Sequence, residues 1–241
     1  MILMAGRFWE LDSARGIAII MMVIFHFMWD LRYFRFIEFD IYAGFWGLFQ
    51  LATAGLFLLL VGTVLAVNYN RYLDDFVINF LRRAAVIFSG GLLLTVVTLI
   101  IMPEIFIYFG ILHLIGVSIL LSIPFIRRMR LNFVLGLVLI ILPMAINLKS
   151  LEIPFLGWLG LATPAAALDF FPAIPWFGAI LIGISLGNFF YKGNKQRIEL
   201  KNPESKVTDF LQFLGRKSLL IYFLHQLILF PLVFAAATLL G

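Results

Sequence analysis

The sequence contains no cysteine among its 241 residues. This absence excludes disulfide bonds, cysteine-ligated iron–sulfur clusters and catalytic thiols. Charge is the second shortage, because only 13% of the residues are Asp, Glu, Lys or Arg, against about 25% in an ordinary soluble domain. Hydrophobic residues make up 63% of the chain. This composition is typical of a protein whose main surroundings are the lipid bilayer.

Long apolar runs are what the sequence has in place of charge. A helix that spans a bilayer needs about 20 mostly apolar residues, and the runs here are bounded by charged or turn residues. We therefore predict an all-α integral membrane protein, a bundle of about seven transmembrane helices that forms a single domain over residues 1–241. The predicted spans are 14–34, 44–67, 84–102, 106–126, 131–148, 172–191 and 217–239.

The positions of the basic residues predict how the bundle is oriented. If the N-terminus is in the cytoplasm, the outer segments carry only Arg32, Arg35 and Lys149 of the 18 basic residues. An excess of Lys and Arg in cytoplasmic loops sets orientation during insertion. We therefore predict a multi-pass protein of the cell membrane with a cytoplasmic N-terminus and an outer C-terminus. The cations are scattered and form no single patch, so no nucleic-acid partner is expected.

Two segments do not fit a simple span. Residues 68–83 mix charged with apolar positions, which predicts an amphipathic helix at the inner surface. Residues 149–171 are too apolar for an ordinary loop and are interrupted by prolines and glycines. Irregular backbone at membrane depth needs protein or a water-filled cavity around it. We therefore predict that this second segment is a re-entrant or surface-lying cap on the outer face.

All three histidines fall inside predicted spans. His26 follows Arg15 by 11 residues, which places it about 16 Å into the membrane, near the middle. His113 and His225 have similar depths in the fourth and seventh spans, so we expect the three to converge in one central band. Polar groups at this depth are costly and usually face a bundle interior or a cavity. Asp30 lies one turn after His26, where we expect its carboxylate to fix the imidazole tautomer and raise its basicity.

Motifs at both ends and in the middle of the chain carry a family resemblance. Residues 7–16 read RFWELDSARG and are followed by IAIIMMVIFHFMWD. Together they resemble the opening of the catalytic domain of heparan-alpha-glucosaminide N-acetyltransferases, within a wider superfamily of transmembrane acyltransferases. The ten residues between Arg15 and His26 are similar to a signature of the superfamily's O-acyltransferase branch. Two further motifs resemble the family's proline–tryptophan start of a later span and its last helix: DFFPAIPWFG at 169–178, and GRKS at 215–218 with Tyr222 and His225.

The resemblance implies transfer of an acetyl group from cytoplasmic acetyl-CoA to a hydroxyl or amine of a glycan or other small-molecule acceptor at the outer face. Arg15 would bind a CoA phosphate, for which a guanidinium is suited, and His113 and His225 would also contact this co-substrate. Asp169 would act in catalysis by orienting or binding the acceptor, and Trp176 would shape the acceptor's entrance. No metal is expected, since no spacing of the HExxH kind is present.

His26, with Asp30 beside it, is the residue on which the implied chemistry depends. The imidazole would act as a base in direct transfer or as a nucleophile in a route through acetyl-histidine, and the sequence leaves both routes open. The eukaryotic N-acetyltransferase carries its proposed catalytic histidine in an external loop after the first span, whereas residues 32–44 here contain no histidine. Either His26 does that work or the acceptor differs.

Two other functions are compatible with buried histidines. Paired histidines on facing helices are the usual axial ligands of haem b, which would make the chain a membrane electron carrier with a Soret absorption band. Buried His and Asp residues also relay protons in transporters, so a small proton-coupled transporter is the second alternative. The absence of a visible inverted repeat weighs against the transporter.

Overall fold

The structure of the protein is a computed structural model that describes residues 8–71, 76–147, 151–162, 167–192 and 195–240. Within these ranges the chain is mostly helical, which confirms the all-α prediction, and its strands are two pairs of residues in one short ribbon. The elements are α1 (Trp9–Tyr33), α2 (Gly44–Arg71), α3 (Phe76–Ile101), α4 (Ile111–Ser122), α5 (Met129–Ala145), α6 (Ala173–Phe190), β1 (Tyr191–Lys192), β2 (Lys195–Gln196), α7 (Lys206–Arg216) and α8 (Ser218–Leu240).

Five of the described helices are long and apolar enough to cross a membrane, namely α1, α2, α3, α6 and α8. The predicted spans 106–126 and 131–148 correspond to α4 and α5, which are apolar but shorter. A helix of 12 residues such as α4 is about 18 Å long, whereas the hydrocarbon core is about 30 Å thick. α4 ends where Pro124 follows in a 3-10 turn, since proline lacks the amide that would continue the helix. Seven spans and their orientation therefore stay predictions.

The separate surface helix predicted over residues 68–83 is not present in the described chain. Residues 68–71 are the last turn of α2 and residues 76–83 are the first two turns of α3, while 72–75 lie outside the described residues. Extending an existing helix adds a hydrogen bond for each residue without a second nucleation cost. The polar residues of this segment therefore continue two long helices at their ends.

An amphipathic helix does occur later in the chain, as α7. Val207, Phe210 and Phe213 are more than half exposed, and their spacing places them on one side of the helix. At its N-terminus the Ser205 hydroxyl accepts a hydrogen bond from the Thr208 amide at 3.1 Å, which satisfies one of the amides left free at a helix start. The chain thus has an apolar, exposed helix face directly before α8.

The described part of the predicted cap, residues 149–171, contains no α-helix. It holds a 3-10 helix, Pro154–Leu159, that ends at Gly160 with φ of 98°, a left-handed conformation that favours glycine. Further along, the Phe171 amide donates to the Phe109 carbonyl at 2.8 Å. The segment is therefore irregular backbone that pairs with the residues just before α4. Its position on the outer face stays a prediction.

The chain packs as two compact units, Met1–Phe57 with Glu199–Gly241, and Leu58–Ile198. In the first unit α1 packs against α7 and α8. The contact with α7 is made by backbone, because a Cβ added at Gly16 would collide with the Leu211 carbonyl and one added at Gly215 with the Asp12 carbonyl. Small residues allow helices to approach this closely. The single domain over residues 1–241 stays a prediction.

In the second unit, Leu58–Ile198, α6 packs against α4 and α5. Its buried side chains Ile180, Leu181 and Ile184 belong to the core of this unit. A pair of glycines forms the contact with α5. A Cβ added at Gly136 would lie 2.7 Å from the Gly178 carbonyl oxygen, and one added at Gly178 would lie 2.6 Å from that of Gly136. The two helices therefore meet backbone to backbone.

We predict that Gly178→Val lowers the thermal unfolding midpoint in detergent, because the added methyl groups force α5 and α6 apart. Overpacking of this kind costs about 1–3 kcal/mol. Gly55→Val is the matched control, since a Cβ at Gly55 meets no described atom within 4 Å, and its midpoint should stay close to that of the wild type. Equal midpoints for the two variants would contradict the backbone contact.

Candidate functional site

The structure brings two of the three histidines into contact. His26 on α1 and His225 on α8 have ring centroids 4.6 Å apart, with the ring planes at 77°. His26 is half-buried and His225 is buried, with 9% of its surface exposed. Both belong to the unit Met1–Phe57 with Glu199–Gly241. The chain's two ends therefore combine to form an imidazole pair, which we call the histidine pair.

Hydrogen bonds to backbone carbonyls fix the tautomer of both rings. The Nδ1 atom of His26 lies 2.9 Å from the Met22 carbonyl oxygen, and that of His225 lies 2.7 Å from the Tyr222 carbonyl oxygen. A carbonyl oxygen only accepts, so each Nδ1 carries the hydrogen. Each Nε2 then keeps a lone pair when the ring is neutral. This is the form in which an imidazole acts as a base or a nucleophile.

Asp30 does not hold the His26 ring, contrary to the prediction. The carboxylate is fully buried, and its Oδ1 accepts a hydrogen bond from Nε2 of Gln226 on α8 at 2.5 Å. The reason is that each side chain has another partner. The His26 ring bonds back to the Met22 carbonyl, four residues earlier, while Gln226 on α8 takes the Asp30 carboxylate. The tautomer is set by a backbone carbonyl and not by the carboxylate.

Gln226 is a residue of this site that the sequence analysis missed. Its Oε1 and the Oδ2 of Asp30 are both buried and have no hydrogen-bond partner among the described residues. A signal was available, because a primary amide inside an otherwise apolar span is costly and usually has a partner. The bond between Asp30 and Gln226 links α1 to α8 one residue beyond His225 on α8.

Arg15 lies in the contact between α1 and α7. Its Nη1 donates to the Asp12 carboxylate at 3.0 Å and to the Gly215 carbonyl at 3.3 Å. A quarter of its side chain is exposed. These bonds hold the guanidinium at the start of α1, eleven residues before His26. Its binding of a phosphate stays a prediction.

A cavity of about 330 Å³ lies at the C-terminal end of α1. The rings of Trp29 and Tyr33 stack in its wall with centroids 5.2 Å apart. These two residues follow His26 by three and seven positions, so they lie on the same side of α1 as His26. The sequence analysis did not identify this cavity. Its lining residues are Trp29, Arg32, Tyr33, Asp40, Ile41 and Tyr42.

His113 differs from the histidine pair in its hydrogen bonding. It belongs to the unit Leu58–Ile198, where its Nδ1 accepts from the Gly110 amide at 3.2 Å. The Thr95 hydroxyl donates to the Ile107 carbonyl at 2.8 Å and lies 3.4 Å from Nε2 of His113. Nε2 therefore carries the hydrogen, and both ring nitrogens have partners within this unit. These bonds connect α3 with the start of α4. The convergence of all three histidines stays a prediction, and so does the contact of His113 with the co-substrate.

Asp169 and Trp176 are placed in the same unit as His113. Oδ2 of Asp169 accepts a hydrogen bond from the Ile111 amide at 3.0 Å, so this carboxylate caps the N-terminus of α4. Burial raises the pKa of Asp169 to about 6, against the opposing effect of the Ile111 hydrogen bond. The ring of Trp176 contacts that of Phe171 at a centroid distance of 5.0 Å. Their predicted roles toward an acceptor stay predictions.

Comparison with known protein families gives a match over nearly the whole chain. A family model described as "Heparan-alpha-glucosaminide N-acetyltransferase, catalytic" matches residues 7–227. The matched region contains both members of the histidine pair, Arg15, Asp169 and Trp176. Neither the curated proteins nor the solved structures gave a significant match.

We predict that Asp169→Asn and Asp169→Ala have different effects on stability. The folded pKa of Asp169, about 6, lies above its ordinary value of 3.8, so folding favours the protonated form. This residue's contribution to the free energy of unfolding therefore falls as pH rises from about 4 to about 6. Asparagine keeps an oxygen acceptor for the Ile111 amide without the buried charge, whereas alanine removes the cap at a cost of about 1 kcal/mol.

Thermal unfolding midpoints of the three proteins, measured in detergent across this pH range, test the prediction. Near neutral pH the asparagine variant should be at least as stable as the wild type, and its midpoint should depend less on pH. The alanine variant should be the least stable. An asparagine variant that is as unstable as the alanine variant would show that the carboxylate charge itself holds α4.

Proposed function

We propose that this chain, which belongs to the heparan-alpha-glucosaminide N-acetyltransferase catalytic family, transfers an acetyl group from cytoplasmic acetyl-CoA to an acceptor at the outer face of the cell membrane. The observation that carries the proposal is the family match over nearly the whole chain. The family and the apolar helices identify a membrane-embedded acyltransferase. We propose in addition that acetyl-CoA is the donor and that the acceptor binds at the outer face. We also propose the orientation, with a cytoplasmic N-terminus and an outer C-terminus.

His26 is the group that we assign to the reaction. Its Nε2 keeps a lone pair because Nδ1 bonds to the Met22 carbonyl. The ring is half-buried, so it combines a low-dielectric setting with some access. Such an imidazole deprotonates a hydroxyl or amine acceptor or attacks the thioester itself. Both routes lead to the same products, namely the acetylated acceptor and free CoA.

Arg15 supports the donor part of the proposal. Its guanidinium is anchored at the start of α1 by the Asp12 carboxylate and the Gly215 carbonyl. An anchored guanidinium loses little conformational freedom when it binds an anion, and its planar fork of donors suits a phosphate. With the N-terminus in the cytoplasm, this charge would meet the phosphates of acetyl-CoA as the co-substrate enters from that side.

The cavity at the end of α1 supports the acceptor part. Its stacked Trp29 and Tyr33 rings offer a flat apolar surface, while Asp40 and Arg32 add polar groups of both charges. Aromatic walls with a few polar groups are typical of small-ligand sites, and this combination suits a sugar, which has apolar ring faces and hydroxyl edges. The family description refers to a glucosaminide, so glucosamine is the first acceptor to test.

The histidine pair argues against the haem alternative. A haem held between two histidines needs two metal–nitrogen bonds of about 2 Å each, on opposite faces of the porphyrin. The two rings are already in edge contact, with centroids 4.6 Å apart. This spacing leaves no room for a porphyrin between them.

We predict that His26→Gln lowers the rate of CoA release from acetyl-CoA by at least about 100-fold, because acid–base catalysis by a side chain contributes about 10²–10⁴-fold. The assay follows free thiol in detergent, with glucosamine or water as acceptor. Phe27→Leu is the control, since Phe27 is the next residue and is 41% exposed. Unchanged turnover by a folded His26→Gln protein would refute the assignment.

We predict that Arg15→Gln raises the KM for acetyl-CoA by about 10–100-fold, the worth of one charge-assisted hydrogen bond or two. Acetyl-pantetheine, which has the thioester but no phosphate, should show no such difference between variant and wild type. Arg216→Gln is the matched control, because Arg216 lies at the exposed end of α7. Equal increases for both thioesters would mean that Arg15 acts only through the contact between α1 and α7.

A further inference from the structure

The histidine pair contains a second imidazole, that of His225, and the proposed reaction requires a second base. If His26 carries the acetyl group, its Nε2 forms a bond to carbon and has no lone pair left. The acceptor must still lose a proton when it attacks the acetyl carbon. A route through acetyl-histidine therefore requires another base in contact with His26, and this requirement rests on the proposed function.

His225 has the geometry of that base. Its ring contacts the His26 ring, and its Nδ1 is held by the Tyr222 carbonyl. The Nε2 atom is buried and has no hydrogen-bond partner among the described residues. An unsatisfied polar atom of this kind costs about 1–3 kcal/mol. Such atoms in native structures often have a functional explanation, and packing alone offers none here.

We propose that His225 is a second catalytic residue, the base of the half-reaction in which the acceptor takes the acetyl group. In the first half-reaction the lone pair on Nε2 of His26 forms a bond to the thioester carbon. The carbon–sulfur bond breaks, leaving a CoA thiolate and an acetyl-imidazolium. In the second, the acceptor oxygen or nitrogen bonds to the acetyl carbon, its proton moves to Nε2 of His225, and the bond to His26 breaks. The thiolate takes a proton from water as CoA leaves in the first half-reaction, and His225 gives its proton to water after the second, so both rings return to their starting state.

The bond between Asp30 and Gln226 has a positioning role in this scheme. Gln226 follows His225 directly, and Asp30 lies one turn beyond His26, so their hydrogen bond at 2.5 Å ties α1 to α8 beside the two rings. A side-chain bond between helices at this depth lacks competition from water. It therefore limits sliding of α8 along α1, which would separate the histidines.

The test is a single-turnover experiment on the full chain in detergent, with the label in the acetyl group of acetyl-CoA. Without added acceptor, we expect the wild type to release CoA in a burst and to retain label on the protein after rapid denaturation at neutral pH, since acid would hydrolyse an acetyl-imidazole. His225→Gln should keep the burst within about threefold but pass the label to glucosamine about 10²–10⁴-fold more slowly. His26→Gln should show neither burst nor label. The matched control is Leu224→Ala, since Leu224 is 42% exposed on α8.

Chemical rescue distinguishes a base from a packing residue. His225→Ala leaves space for a small base, so added imidazole should accelerate transfer of the label to glucosamine without changing the burst. If His225→Gln slows both half-reactions equally, or if imidazole has no effect on His225→Ala, the proposal is wrong. A wild-type protein that acetylates glucosamine without ever carrying label would also overturn it, while leaving the acetyltransferase function intact. A wild-type protein that releases no CoA with any acceptor would contradict the proposed function itself.

Discussion

The hydrogen bonds from two imidazoles to carbonyls of their own helices determine what the candidate site can do. Each bond uses Nδ1 as the donor and leaves Nε2 with its lone pair. A carboxylate in the same place would favour the protonated imidazolium, whereas a neutral carbonyl does so much less. The arrangement therefore keeps two neutral rings available for bond formation and proton transfer in an apolar environment. The chemistry proposed for His26 and His225 depends on this constraint.

The third imidazole of the chain, that of His113, has a different hydrogen-bonding pattern from those of His26 and His225. His113 accepts a hydrogen bond at Nδ1 and has a partner at Nε2, so its two nitrogens serve the connection of α3 to α4. In the histidine pair each Nδ1 bonds to a carbonyl of its own helix, and Nε2 of His225 has no partner among the described residues. Depth in a span is therefore a weaker guide to function than the number of ring nitrogens already in use.

Much of the fold followed from the sequence because its signals are local. Apolar runs of sufficient length predicted the helices. The histidines in those runs indicated candidate site residues, whose roles stay predictions. The RFWELDSARG motif with His26 led to the family that the comparison then matched. What could not be predicted depends on geometry between helices. The pairing of Asp30 with Gln226 follows from the rotation of α8 against α1, and no spacing in the sequence encodes that rotation. The prediction of a separate surface helix over residues 68–83 was wrong for a related reason. The composition of this segment does not reveal that two long helices, α2 and α3, extend into it.

The glycine contact between α1 and α7 has a mechanical consequence. With the Gly16 and Gly215 backbones pressed against the neighbouring helix, no side chains separate α1 from α7 there, and one helix cannot tilt away without losing the whole contact. These helices should therefore move as a single rigid body, which includes the Arg15 guanidinium bonded to the Gly215 carbonyl. Any opening that admits the proposed co-substrate, acetyl-CoA, must then come from the displacement of other elements, while the Arg15 guanidinium keeps its position against α7.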